Sequence, residues 1–208
     1  MNIKSIVASG LIGLLALTGM TTLAMAQDHY GHPAFASVAG PTSVPIGHHE
    51  YCQRRSGDCQ AFHTPGDRVN LTDAKWADLQ AVNNHYNVTV TPASDQDLYG
   101  APEFWTYPVN GYGDCEDIVI GKRAALIERG WDASNLLITV VSQPDGEGHA
   151  VLMVRTDRGD LVLDNQDSLI KIWTDTPYTY LKRQSQTHAG QWVDILDARG
   201  EVAVTAGY

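Results

Sequence analysis

A cysteine set at the mouth of a helix is the feature that most restricts this chain. Gly111-Tyr112-Gly113-Asp114-Cys115-Glu116-Asp117 runs without interruption into Ile118-Val119-Ile120-Gly121-Lys122-Arg123-Ala124-Ala125-Leu126-Ile127-Glu128-Arg129-Gly130. Two glycines allow a tight entry turn, Asp114 suits the N-cap, acids fill the first turn, and Gly130 is placed to end the helix. Cys115 is therefore expected to open a helix. There the aligned peptide dipoles and free N–H groups favour a thiolate and offer a donor to an oxyanion, the conditions under which cysteine becomes a nucleophile near neutral pH. The neighbouring carboxylates oppose this. Asp114, Glu116 and Asp117 raise the thiol pKa unless they point away, pair with cations or bind a metal.

Three apolar, β-rich runs follow the helix: Leu136 to Val141, His149 to Arg155 and Leu161 to Asp164. Turn residues separate them, Ser142 to Gly148 and Thr156 to Asp160, so the pattern predicts a meander of antiparallel strands packed on the central helix. Gln191 to Leu196 reads as a further strand. His149 begins the second run and Asp164 ends the third. A hairpin turning near Asp157-Arg158-Gly159 brings them to the same end of the sheet. If the helix packs across that end, Cys115 is the nucleophile, His149 the general base and Asp164 the group that orients the imidazole. The backbone N–H of Cys115 is one oxyanion donor, and Trp105 and Asn83 are candidates for the second.

The first 26 residues read as an export signal, with Lys4 at the positive end, a largely apolar stretch from Ile6 to Leu23, and Ala24-Met25-Ala26 before Gln27. Removing them would take away only Lys4 among the charged side chains, moving the net charge from −10 to −11. Such acidity argues against nucleic acid and anionic membranes as partners, and nothing after the signal is apolar enough to span a bilayer. Residues 27–50 are expected to form an irregular N-terminal arm, with 51–208 as one domain. Most of the histidines, His29, His32, His48, His49 and His63, fall between 27 and 70 and read as exposed loop residues rather than metal ligands. In an exported chain with three cysteines, Cys52 and Cys59 are the natural disulfide, against a free pair as the alternative, which leaves Cys115 as the odd thiol. A helix is expected from about Asn70 to Tyr86. It places Asn83 on its apolar face beside Trp76, Leu79 and Tyr86, where a polar group needs a partner, most simply a neighbouring loop. The loop from Thr91 to Gly113 is rich in aromatics that suit either a cleft wall or core packing.

The order Cys, His, Asp resembles that of the transglutaminase-like superfamily. Residues 111–117, Lys122, Gly130, Gly148-His149-Ala150-Val151-Leu152, Leu163-Asp164-Asn165 and Trp173 resemble the bacterial transglutaminase-like cysteine peptidases. That family includes periplasmic proteases that clip large adhesins from the cell surface. The resemblance runs from about Tyr51 to Trp192. It implies an α+β, papain-like fold with the nucleophile helix packed on an antiparallel sheet, a Cys115/His149/Asp164 triad, and an exported enzyme, periplasmic or secreted, acting on a cell-surface or other protein. The adhesin-clipping members depend on Ca²⁺ held by acids flanking the nucleophile, and Asp114 and Glu116 match those positions. A bound cation would lower the thiol pKa instead of raising it. The Cys52/Cys59 pair and the long arm depart from the adhesin-clipping subgroup, so the resemblance supports no particular substrate or membrane receptor. Two other readings use the same residues: a transglutaminase or amidase that passes the acyl group to an amine, and a catalytically silent calcium- or peptide-binding domain.

Overall fold

The apolar runs of the second half of the chain become the middle of an antiparallel sheet with helices on one face. The structure is a computed structural model describing residues 33–63 and 66–200. The expected export signal, with His29 and His32, lies outside the described residues. In chain order the elements are β1 (Ser37–Thr42), α1 (Ile46–Arg54), α2 (Asp73–Thr89), β2 (Thr91–Pro92), α3 (Asp95–Tyr99), β3 (Tyr112–Gly113) and α4 (Cys115–Glu128). There follow β4 (Leu136–Ser142), β5 (Gly148–Thr156), β6 (Gly159–Leu163), β7 (Lys171–Ile172), β8 (Thr179–Gln184) and β9 (Trp192–Leu196). The main sheet has the order β1-β9-β8-β4-β5-β6-β7, every pair antiparallel, and β2 and β3 form a short parallel pair. This is the expected α+β architecture, with the nucleophile helix packed on an antiparallel sheet.

The central strands read as continuous apolar runs because both of their faces are covered. Successive side chains of a strand point to opposite faces. Ala150, Leu152 and Val154 of β5 and Leu161 and Leu163 of β6 join one core with Val119, Ile120 and Leu126 of α4 and Leu79 and Val82 of α2. Val151, Met153 and Val162 join a second core with Trp173, Tyr178 and Tyr180. The helices meet closely. A Cβ at Gly121 of α4 would stand 2.3 Å from the Tyr86 ring of α2, so only glycine fits that crossing.

α2 matches the expected helix, with Thr72 as N-cap accepting from Lys75 N–H at 3.3 Å. Asn83 is buried and donates to the Ser168 carbonyl at 3.3 Å, the loop tie its position suggested. The N-terminal stretch is a correction. The described part of the expected arm holds β1, which pairs with β9, and the start of α1, so a boundary at residue 51 would cut a helix. His49 and His63 are exposed as expected, but His48 is buried against Tyr51, Trp105 and Trp192. β7 and β8 also had no expectation, and the expected loop from Thr91 to Gly113 holds β2, α3 and β3. Cys52 and Cys59 form the expected disulfide, tying α1 to the turn after it, and Cys115 is free. Among the described residues no helix is long and apolar enough to cross a membrane.

Candidate active site

Cys115 opens α4 at the floor of a cavity of about 470 Å³. His149 and Ala150 of β5 line the same cavity, with Glu116, Glu103, Trp105 and Ile46 among its other walls. The thiol does not donate to His149. It donates to Glu116 Oε2 at 3.0 Å. Burial and the Glu116 carboxylate push the Cys115 thiol well above its ordinary pKa, while the backbone N–H of Ala150 pulls weakly the other way. With the surrounding acids uncompensated, Cys115 is held as a thiol.

The β5–β6 register puts Leu152 opposite Leu163, so Asp164 follows one step beyond the strand, beside Val151 and diagonal to His149. His149 Nε2 lies 2.9 Å from Asp164 Oδ1 and both side chains are buried. Nδ1 has no hydrogen-bond partner among the described residues. Asp164 also accepts from the Gln166 backbone N–H at 2.9 Å and from the Tyr178 hydroxyl. Burial would raise its carboxyl, but these hydrogen bonds prevail and hold it below the usual carboxylate range. The Asp164 carbonyl is fixed by Asn87 Nδ2 at 2.8 Å.

The acids around Cys115 form a larger group than the sequence suggested. Asp114 occupies the N-cap position of α4, yet its side chain makes no cap hydrogen bond. It turns instead toward Asp95 of α3 and Asp117, and one carboxylate oxygen from each of the three lies within 4.8 Å of the others. Asp117 Oδ1 accepts from Thr106 N–H at 2.7 Å and Asp95 accepts from the Phe104 N–H. Asp95 Oδ1, Asp114 Oδ1 and Asp117 Oδ2 are buried with no partner among the described residues. Burial, then Glu116 and Asp95, push Asp114 up to about 8. Burial, with Asp114 and Asp95, pushes Asp117 up to about 7 against the Thr106 hydrogen bond. Unpaired buried carboxylates at this density take up either protons or a cation, and an all-oxygen set of this kind suits a hard divalent ion. The expected pair was Asp114 and Glu116. Asp114 lies against Glu116, which also meets the thiol, and against Asp95 and Asp117 besides.

Neither candidate for the second oxyanion donor is free. The Trp105 indole N–H lines the cavity but donates to Glu103 Oε2 at 3.0 Å. Asn83 sits away from it, its amide taken by Ser168 and by Lys122 Nζ at 2.7 Å. Lys122 is fully buried, and burial lowers its ammonium to about 7. Sequence reasoning missed Asp95 and Tyr178. Asp95 follows Ser94, which caps α3, and so reads as an ordinary helix start. Tyr178 carries no local signal, because its partner is 14 residues away.

The sequence profile of a family described as bacterial transglutaminase-like cysteine proteinase, BTLCP, matches residues 38–200. Among solved structures the chain is similar to calcium-bound Legionella pneumophila LapG, at 26% identity over 60% of this chain and 71% of that one, with a TM-score of 0.49. A second LapG structure is 28% identical over 57% and 68%, TM-score 0.48. An EGTA-treated one is 26% identical over 61% and 74%, TM-score 0.48. No curated protein matches the chain.

Proposed function

The chain belongs to the bacterial transglutaminase-like cysteine proteinases, a cysteine peptidase of the transglutaminase-like superfamily, and from that premise we propose that it is an exported endopeptidase with Cys115, His149 and Asp164 as its triad. The observation that carries this is the disposition of His149: Nε2 is paired with Asp164, Nδ1 has no partner among the described residues, and the residue lines the cavity that Cys115 also lines. Deprotonated Cys115 Sγ attacks the carbonyl carbon of the scissile peptide and forms a thioester as the amine leaves. His149 accepts the thiol proton and returns it to that amine, then draws a proton from the water that resolves the thioester. The Cys115 backbone N–H donates to the oxyanion. Asp164 holds the ring tautomer and stabilises the imidazolium. The substrate is a protein outside the cytoplasm.

Asp95, Asp114 and Asp117 fit Ca²⁺ through their three unpartnered buried oxygens, with Glu116 within reach of the same acids. Bound there, the ion supplies positive charge that offsets the carboxylates beside the thiol. Without it Cys115 keeps its proton and donates to Glu116, so this chain's own residues keep the nucleophile silent.

The test is the alkylation rate of Cys115 against pH, read by mass spectrometry, with calcium, with chelator and in His149→Ala. With calcium, rapid labelling should begin well below the ~8.5 of a free thiol. Chelation or loss of the imidazole should slow it at least about tenfold. Slow labelling that titrates like an ordinary thiol and ignores His149 would sink the proposal. Covalent uptake of a labelled amine without peptide cleavage would instead assign amine transfer.

A further inference from the structure

The two oxygens of the Asp164 carboxylate have different partners. Oδ1 receives His149 Nε2 and the Gln166 N–H, and Oδ2 receives the Tyr178 hydroxyl. A carboxylate torsion is broad and two-fold, so one hydrogen-bonded oxygen alone would leave the group free to turn. Donors on both oxygens leave one orientation that satisfies them all. Tyr178 is itself fixed: the residue is buried, its ring centroid lies 5.5 Å from that of His149, and its carbonyl accepts from Arg199 Nη2 at 2.9 Å. It takes no part in lining the Cys115 cavity. It faces a separate cavity of about 250 Å³ bounded by Asp164, Gln166, Lys171 and Thr176.

We propose that Tyr178 is a positioning residue for this site. Its hydroxyl locks Asp164 so that Oδ1 meets His149 Nε2, which places the proton on Nε2 and presents a bare Nδ1 to the cavity of Cys115. The proposal rests on reading His149 as the base. It adds a fourth member, held from the face of the sheet opposite α4, to the three that the sequence suggests. Because Tyr178 acts through Asp164, its loss changes the tautomer and the rate of thiol activation while leaving the substrate cleft intact.

The experiment is histidine ¹⁵N NMR on the purified protein, with Cys115 alkylation measured on the same samples. The unaltered protein should show His149 as a single tautomer with a slowly exchanging Nε2–H. Tyr178→Phe should spread the proton over both nitrogens, erase the slow Nε2–H signal and slow alkylation roughly tenfold. Tyr180→Phe, which loses only a hydrogen bond with Thr176, should change neither. If Tyr178→Phe does not fold, 3-fluorotyrosine at position 178 keeps the ring and sharpens the donor, and it should shift the Nε2–H resonance. An unchanged tautomer and rate in Tyr178→Phe, or an unmoved resonance with the fluorinated ring, overturns the proposal. His149→Ala separates the two readings: if it alkylates at the normal rate, the function falls, while the tautomer still reports on Tyr178.

Discussion

Glu116 shows how a residue adjacent to a nucleophile can restrain it. Its carboxylate accepts a hydrogen bond from the Cys115 thiol at 3.0 Å in a partly buried setting, and both burial and charge act against the thiolate. Glu116→Gln removes the charge and keeps the size. In chelator, where the acid cluster has no cation, the variant should alkylate at lower pH than the unaltered protein, by one unit or more, about 1.4 kcal/mol per unit. An unchanged titration would show that Glu116 does not restrain the thiol. Cys115, His149 and Asp164 were legible because each sits at an element boundary that sequence marks: glycines and acids before a helix, a glycine before a strand, a polar residue after one. Asp95 and Tyr178 were not. Their roles depend on side chains brought close only by the tertiary fold, and neither breaks a local pattern.

α1 and its disulfide make the same point for elements. α2, α4 and β4 to β6 were visible because their apolar periodicity, or its absence in strands buried on both faces, is imposed by the core they share. β1 and α1 were invisible. β1 is an edge strand with mostly exposed residues, and α1 is short, polar and rich in histidine, so neither carries the period of a buried face. Yet α1 brings Ile46 to the Cys115 cavity, and Gly47 passes so near Trp105 that a Cβ would stand 2.4 Å from its ring. The Cys52–Cys59 bridge closes a loop with a sequence separation of 7. Closing so short a loop restricts the unfolded chain by about 2.5 kcal/mol. Cys52→Ser with Cys59→Ser should therefore lower Tm by roughly 5–10 °C in a domain of this size. It should also weaken binding at the Ile46 side of the cleft, seen as a rise in KM larger than any fall in kcat. A Tm unchanged within error would mean that packing around His48 holds α1 without the bridge.

Across the whole molecule, two buried groups of opposite type set how stability changes with pH. His48 Nδ1 accepts from Trp192 Nε1 at 3.1 Å, and Nε2 faces the Gln184 amide at 3.1 Å, so the ring has no acceptor ready for a second proton. Burial, with Arg123 next in weight, lowers it from 6.5 to about 4. The unfolded chain takes up this proton first as pH falls, so the stability from a neutral His48 is complete above 6.5 and is lost progressively toward 4, up to roughly 3 kcal/mol. Asp114 and Asp117 run the other way. With folded values pushed up to about 8 and 7, they bind protons that the unfolded chain has already released, so their stabilisation is present at low pH and is lost as pH rises through those values. Two acids outweigh one imidazole over the range they share, so the chelated protein should be most stable near pH 4 and weaken as pH rises toward 7, with His48 softening the fall only below 6.5. His48→Gln should steepen that fall between pH 4 and 6.5 and leave it unchanged above. Calcium should abolish this decline and uncover the rise from pH 4 to 6.5 that His48 gives, because a cation among Asp95, Asp114 and Asp117 makes their ionised form the favoured one. Thermal melts across pH 4–8, with and without chelator, read the fall and its removal. If calcium leaves the decline in place, the three acids do not hold the ion.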